Sequence, residues 1–422
     1  MNEPPAITLA AAIADRLSHP DTAPCAATTD EARQHLAHGP IGIALLHIEL
    51  AAAGLGPWQR AHNWLAAATR RPFTTGADSH PFYGAPALAH VLACAAEHLP
   101  GAYRRDLDRL DRHVAGDVKR RLDAAHRRID AGRLPVLAEF DAIRGLTGYG
   151  RYLLHRDADA PALRALLEYC VRLVEPIPHH DEALAGWWTL TGPSGRIDIS
   201  FPGGHGNNGM AHGVGSVLAL LALGARRAVT VAGHHEAMRT ILAWLDHWKT
   251  ITASGPVWPY WITRADQRAG LLKPSTPQRP SWCYGTAGLA RAQQLAAHAL
   301  SDTARRAQAE AALLDALTDP AQLRATVDAG LCHGVAGLAH LASRTAADAC
   351  PDIAAELRAV LPGLLATLIP PGAAPHEATA ALVNGRAGPG LLDGAAGIAL
   401  AVLSAAGAQP PRTGWDACLL IA

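Results

Sequence analysis

Two short stretches carry donors suited to a soft metal ion: Ser281-Trp282-Cys283-Tyr284-Gly285-Thr286-Ala287-Gly288 and Leu331-Cys332-His333-Gly334-Val335-Ala336-Gly337. Together they offer two thiols and an imidazole, just before Gly-x-x-Gly steps that open Ala-rich apolar runs. Thiolate and imidazole are common zinc ligands. A structural zinc closes its tetrahedron with four protein ligands, whereas a zinc that does chemistry keeps three and leaves one corner to water or substrate. Three donors without a fourth therefore predict one catalytic zinc per chain, held by Cys283, Cys332 and His333. The competing reading is a pair of buried apolar cysteines and a core histidine. A Cys-His pair and a second Cys at equivalent points of two repeats weigh against it.

Donors 49 positions apart need a scaffold that returns the chain to one place. The Gly-x-x-Gly step, or a near relative, recurs at Gly39-Gly42, Gly84-Ala87, Gly145-Gly148, Gly213-Ser216, Gly285-Gly288, Gly334-Gly337 and Gly394-Gly397. Each precedes an apolar run spaced as a helix buried on most sides: 43–53, 88–98, 151–154, 217–225, 289–300, 338–347 and 398–406. Upstream of each lies a more polar, amphipathic segment: 5–16, 58–70, 103–130, 161–174, 234–249, 303–318 and 352–368. In the charged third of these, Arg104, Arg105, Asp106, Asp108 and Arg109 fall away from the leucines, as on a solvated face. Strict alternation of seven inner and seven outer helices predicts an all-α chain, 1–422 as a single domain, closed into a double-layered ring. Glycine in the steps would let backbones crowd near the axis, and the inner-helix N-termini would gather the loops bearing Cys283, Cys332 and His333. Two stretches break the pattern. Residues 178–206, with Trp187, Trp188, Ile197, Ile199 and Phe201, read as a small strand-like aromatic insertion. Residues 255–262 place Trp258, Tyr260 and Trp261 among prolines, as packing or the wall of a cleft.

Composition excludes some functions. In 422 residues, 37 basic side chains balance 37 acidic ones, so no net field gathers nucleic acid or an anionic membrane. Lysine is confined to Lys119, Lys249 and Lys273. The start of the chain lacks a basic segment followed by an unbroken apolar one, and no window supplies about 18 apolar residues for a membrane span. The expectation is a cytoplasmic protein that is not itself a membrane protein. The seven scattered cysteines (Cys25, Cys94, Cys170, Cys283, Cys332, Cys350 and Cys418) do not read as a disulfide framework.

With Trp282-Cys283-Tyr284-Gly285, Cys332-His333-Gly334, Ala211-His212-Gly213, and Phe140-Asp141 before Gly145-Leu146-Thr147-Gly148, the chain resembles the LanC family of lanthipeptide cyclases over essentially its whole length. That resemblance implies an α,α-toroid of seven inner and seven outer helices, with Zn2+ on Cys283, Cys332 and His333. It places the other active-site residues on His212, Asp141, Arg279 and Tyr284, and Asn207 also matches. Ser216 and Ala87 depart from the glycine pattern without touching a ligand. The reaction it implies is addition of a peptide cysteine thiol to dehydroalanine or dehydrobutyrine, forming (methyl)lanthionine thioether rings.

That chemistry needs a thiolate near neutral pH, where a free Cys with a pKa of about 8.5 is only a few per cent ionised; zinc coordination removes the proton. His212 suits proton transfer to or from the reacting atoms. Asp141 either orients His212 or caps an inner helix. Arg279 either stabilises the enolate oxygen or forms a structural ion pair. Tyr284 either donates a hydrogen bond or packs, and Trp282 reads as wall. His205 is a candidate to approach the site, while His179, His180, His234 and His235 read as surface residues. Implied partners are a dehydrated precursor peptide with its leader, a dehydratase and an exporter, so that a peripheral membrane association through the complex is compatible with a cytoplasmic enzyme. Two alternatives remain open: a LanC-like zinc protein that binds a small thiol such as glutathione without ring closure, and a protein prenyltransferase-like toroid. The latter would want an Asp-Cys-His set, and no Asp accompanies these motifs.

Overall fold

The computed structural model describes residues 4–23, 29–272, 278–407 and 410–422; Cys25 and Lys273 lie outside them. Contacts divide the chain into two compact units, Met1–His113 with Thr326–Asp416, and Val114–Ala325 with Ala417–Ala422. All seven inner and seven outer helices read from the repeats are present. The first unit holds inner helices Pro40–Ala52, Ala85–Ala96, Val335–Asp348 and Ala395–Ala406, with outer helices Pro5–Arg16, Trp58–Ala68 and Pro351–Ala366. The second holds inner helices Leu146–Arg156, Val214–Arg226 and Thr286–Leu300, with outer helices Pro161–Leu173, His234–Trp248 and Thr303–Thr318. The long helix Arg104–Asp130 begins in the first unit and ends in the second.

Burial separates the two layers as the sequence pattern requires. Inner helix Pro40–Ala52 has Ile41, Ile43, Leu45, Leu46 and Ile48 all buried, so no face is left to water. Outer helix Pro161–Leu173 buries one stripe, Leu163, Leu166, Leu167, Cys170 and Leu173. At about 1.5–3 kcal/mol for each large apolar side chain buried, this division is the main force setting the layers. Inner helices pack on one another and on the outer helix that follows, as Val335–Asp348 does on Pro351–Ala366 and Thr286–Leu300 on Thr303–Thr318.

The inner helices begin several residues earlier than their apolar runs suggest, because the first glycine of each step is itself the N-cap: Gly39, Gly84, Gly145, Gly213, Gly285, Gly334 and Gly394. The second glycine then lies inside the first turn. At Gly42, Gly288, Gly337 and Gly397 its tightest approach is to a carbonyl of the loop that leads into its own helix. A Cβ at Gly337 would stand 2.0 Å from the Leu331 carbonyl oxygen, and at Gly397 1.7 Å from that of Leu391. Ser216 fits the equivalent place by turning its hydroxyl onto the Gly213 carbonyl at 2.8 Å.

The loops before successive inner helices are tied together by a main-chain belt. In the first unit Cys332 N donates to Leu392 O, Leu391 N and Leu392 N both donate to Ala37 O, and Leu36 N donates to Phe82 O. In the second, Ala142 N donates to Ala211 O, while Met210 N and Ala211 N donate to Cys283 O. Every acceptor here stands two residues before a step glycine, which is the position of both Cys283 and Cys332.

The two irregular stretches join. Trp188–Thr189 pairs antiparallel with His205–Asn207, which pairs in turn with Trp261–Thr263. A separate hairpin pairs Ile177–His179 with Glu182–Leu184. Ile197 and Ile199 lie in no strand and are 92% and 96% exposed, because the chain turns at Gly195 (φ 78°) with Gly192 N bonded to Arg196 O. Some expectations change. His234 is buried and bonded to Leu221 O at 2.8 Å, since it opens an outer helix on its packed side. Within Arg104–Asp130 the named charges are solvated, but Asp117 and Arg128 are buried on the apolar side, where Asp117 accepts from Tyr149 and Arg128 pairs with Glu139. Pro375–Asn384 is a further helix that the repeat pattern does not announce.

Candidate metal centre and active site

One ligand atom from each of Cys283, Cys332 and His333 can be chosen so that all three lie within 4.8 Å of one another. In a tetrahedral zinc site with bonds of about 2.0–2.3 Å, such donors stand about 3.5–3.8 Å apart. The set therefore fits zinc in donor chemistry and in its mutual proximity. Cys283 is buried, and Cys332 and His333 are half-buried.

The second unit assembles most of the remaining candidates. Asp141 is buried, and its two oxygens do different jobs. Oδ1 accepts Arg144 N at 2.6 Å and Gly145 N at 2.9 Å, capping the turn that leads into the inner helix. Oδ2 meets His212 Nδ1 at 2.6 Å. Of the two alternatives left by the sequence, the contact with His212 is present, whereas the inner helix takes Gly145 as its N-cap without a side-chain hydrogen bond and Asp141 braces only the turn before it. The His212 side chain keeps 32% of its surface open.

Tyr284 packs its ring against His212, Tyr260 and Trp261, with centroids 6.4, 5.5 and 5.8 Å away. Its hydroxyl accepts Asn207 Nδ2 at 3.2 Å. Asn207 Oδ1 in turn accepts Gly209 N at 3.0 Å, which shapes the loop before His212. Gly209 is obligatory there: a Cβ would lie 2.6 Å from Cys283 O and 2.7 Å from the Tyr284 ring.

A model for lanthionine synthetase C-like proteins matches residues 30–420. The chain belongs to this family. Among solved structures this LanC-like chain is similar to nisin cyclase, with 18% identity over 99% of this chain and 96% of that one, at a TM-score of 0.76. A likeness at that identity speaks for the fold, and the all-α, α,α-toroid class expected from the sequence is thereby shown. Among curated proteins no match was found. No helix of the described residues is long and apolar enough to cross a membrane.

The outer parts of the LanC-like site are set by the three-stranded sheet. His205 is fully buried, with Nδ1 on Thr191 O at 2.9 Å and Nε2 3.2 Å from Asn207 Nδ2. Burial lowers its pKa to about 4 against a smaller opposing effect of the Thr191 contact, so it stands neutral behind Asn207. Tyr260 donates to Arg279 O at 2.9 Å, and burial pushes its pKa up to about 12 despite the Arg279 charge. Arg279 is itself half-buried. Trp282 is buried, and its indole donates to Leu419 O at 2.9 Å.

Two residues were missed. Asp328 Oδ2 lies 3.4 Å from His333 Nε2, and Asp393 Oδ1 lies 3.7 Å from His333 Nδ1. The repeat alignment held a signal for one of them. Asp393 stands one residue before a step glycine, where His212, Tyr284 and His333 stand in their own repeats.

Proposed function

We propose that this LanC-like chain is a zinc-dependent lanthipeptide cyclase, adding peptide cysteine thiols to dehydroalanine or dehydrobutyrine. The observation that carries this reading is the group of three mutually close donors, Cys283, Cys332 and His333, which among the described residues includes no fourth protein donor. They would hold one zinc, whose contribution when bound is to ionise the thiol of the substrate cysteine.

The addition is balanced within the peptide. The sulfur forms a bond to the β-carbon, the alkene electron pair moves to the α-carbon and its carbonyl as an enolate, and a proton then returns to the α-carbon. With Nδ1 held by Asp141, His212 is left with Nε2 to carry that proton. Asp141 fixes the tautomer and the orientation of the ring. Arg279 would meet the enolate oxygen with fixed positive charge. Tyr284, held by Asn207, would offer its hydroxyl proton to the substrate carbonyl. The substrate would be a dehydrated precursor peptide carrying its leader, delivered by a dehydratase in the cytoplasm and passed on to an exporter.

The test is incubation with such a peptide, counting remaining thiols by alkylation and mass spectrometry. Loss of thiols by the zinc-loaded wild type, and none by Cys332→Ala, is expected. Full ring formation by the metal-free variant would overturn the mechanism. Binding of zinc and glutathione with every peptide thiol intact would favour the small-thiol reading.

A further inference from the structure

His333 lies between two carboxylates, one at each ring nitrogen: Asp328 at 3.4 Å from Nε2 and Asp393 at 3.7 Å from Nδ1. Neither carboxylate belongs to the set of three mutually close donors. Both are fixed by the main chain. Asp328 O accepts Val335 N at 3.0 Å, in the first turn of the inner helix that follows His333. Asp393 follows Leu392, whose carbonyl accepts the Cys332 amide at 2.9 Å. The two loops touch so closely that a Cβ at Gly330 would lie 2.6 Å from the Asp393 Cα. A glycine is thus required for the Asp393 loop to come this near the ligand loop.

An imidazole that binds a metal through one nitrogen carries its proton on the other. A carboxylate there fixes the tautomer and the ring orientation and raises the ligand's basicity. We infer that one of these two carboxylates, the one at the nitrogen turned from the metal, is a positioning residue for His333 and accepts its N–H when zinc binds. A hydrogen bond requires the chosen contact to close to about 3 Å, a small ring rotation for a side chain that is 27% exposed. This assignment rests on the zinc reading above.

The test measures zinc affinity of the full chain by competition with a chromogenic chelator, with Asp328→Ala, Asp393→Ala, Asp328→Asn and Asp393→Asn. One alanine variant should lose about 10- to 100-fold in affinity. Its asparagine counterpart, still able to accept the N–H, should recover most of that loss. The Co2+-substituted protein should show shifted d–d bands in the affected alanine variant, while the metal-free variants melt with the wild type. Both alanine variants within threefold of wild type would overturn the assignment. So would an affinity loss that asparagine does not relieve, since that marks a role in shaping the loop alone. Failure of the zinc reading is seen separately: Cys332→Ala would then bind zinc as tightly as wild type.

Discussion

Replacing Asp141 by Asn separates its two roles. Asn Oδ1 can keep the bonds from Arg144 N and Gly145 N, so the turn before the inner helix stays capped. Its amide then faces His212 Nδ1 where Oδ2 stood at 2.6 Å. Two donors cannot share that contact, so the imidazole shifts its proton to Nε2 and presents the wrong tautomer to the reacting thiol. A hydrogen bond to a charged partner is worth about 1.5–3 kcal/mol. At about 1.36 kcal/mol per decade, its loss slows cyclisation about 10- to 150-fold. The assay is single-turnover ring closure, read as thiol loss against time, with zinc content measured in parallel and expected unchanged. Because Asp141 acts through His212, Asp141→Asn combined with His212→Ala should be no slower than His212→Ala alone. Rates within twofold of wild type, or additive losses in the double variant, would refute the coupling.

Three further outcomes are expected. Gly337→Ala would drive a Cβ to 2.0 Å from Leu331 O and displace the Leu331–His333 loop; thermal melting should fall by several degrees, and a chelator should strip zinc more readily. Asp416 is fully buried with Arg344 Nε at 2.6 Å and His340 Nε2 at 2.8 Å; burial alone would raise its pKa, but those two partners override it and hold the carboxyl far below its usual range. Its contribution is therefore present above the unfolded carboxyl pKa of about 4 and fades only as pH falls below that, whereas Arg344→Met leaves the buried carboxylate with His340 alone and should cost about 3–5 kcal/mol by urea unfolding. His205, with its pKa lowered to about 4, should show ring resonances that do not titrate between pH 8 and 5. Because the unfolded ring binds a proton first, stability should decline as pH drops from about 6.5 toward 4.

The fold was legible because its two signals are local. An apolar run buried on all sides and an amphipathic one need no partner to be recognised, and the step glycines mark where each inner helix starts. Cys283, Cys332 and His333 were legible because soft donors placed at repeat-equivalent points are chemically specific. What surrounds them depended on distant pairing. His205 reaches Asn207, and Asn207 reaches Tyr284, because Trp188–Thr189, His205–Asn207 and Trp261–Thr263 form one sheet, a register absent from any single stretch. Asp141 was seen, but its sharing of two oxygens between a cap and an imidazole is a matter of geometry. His234 was misread because adjacent histidines on a helix differ in exposure according to which one faces the neighbouring layer.

The carbonyl of Cys283 receives the amides of Met210 and Ala211, the residues immediately before His212. Sulfur and imidazole are thus hung from a common peptide strut, whose two bonds are made by the Cys283 main chain. On the zinc reading proposed above, a chain carrying Ser or Ala at this place would forfeit a metal ligand yet could keep both carbonyl bonds to the residues before His212. On that reading, loss of the ion and loss of the proton carrier are separable events, open to mutation one at a time.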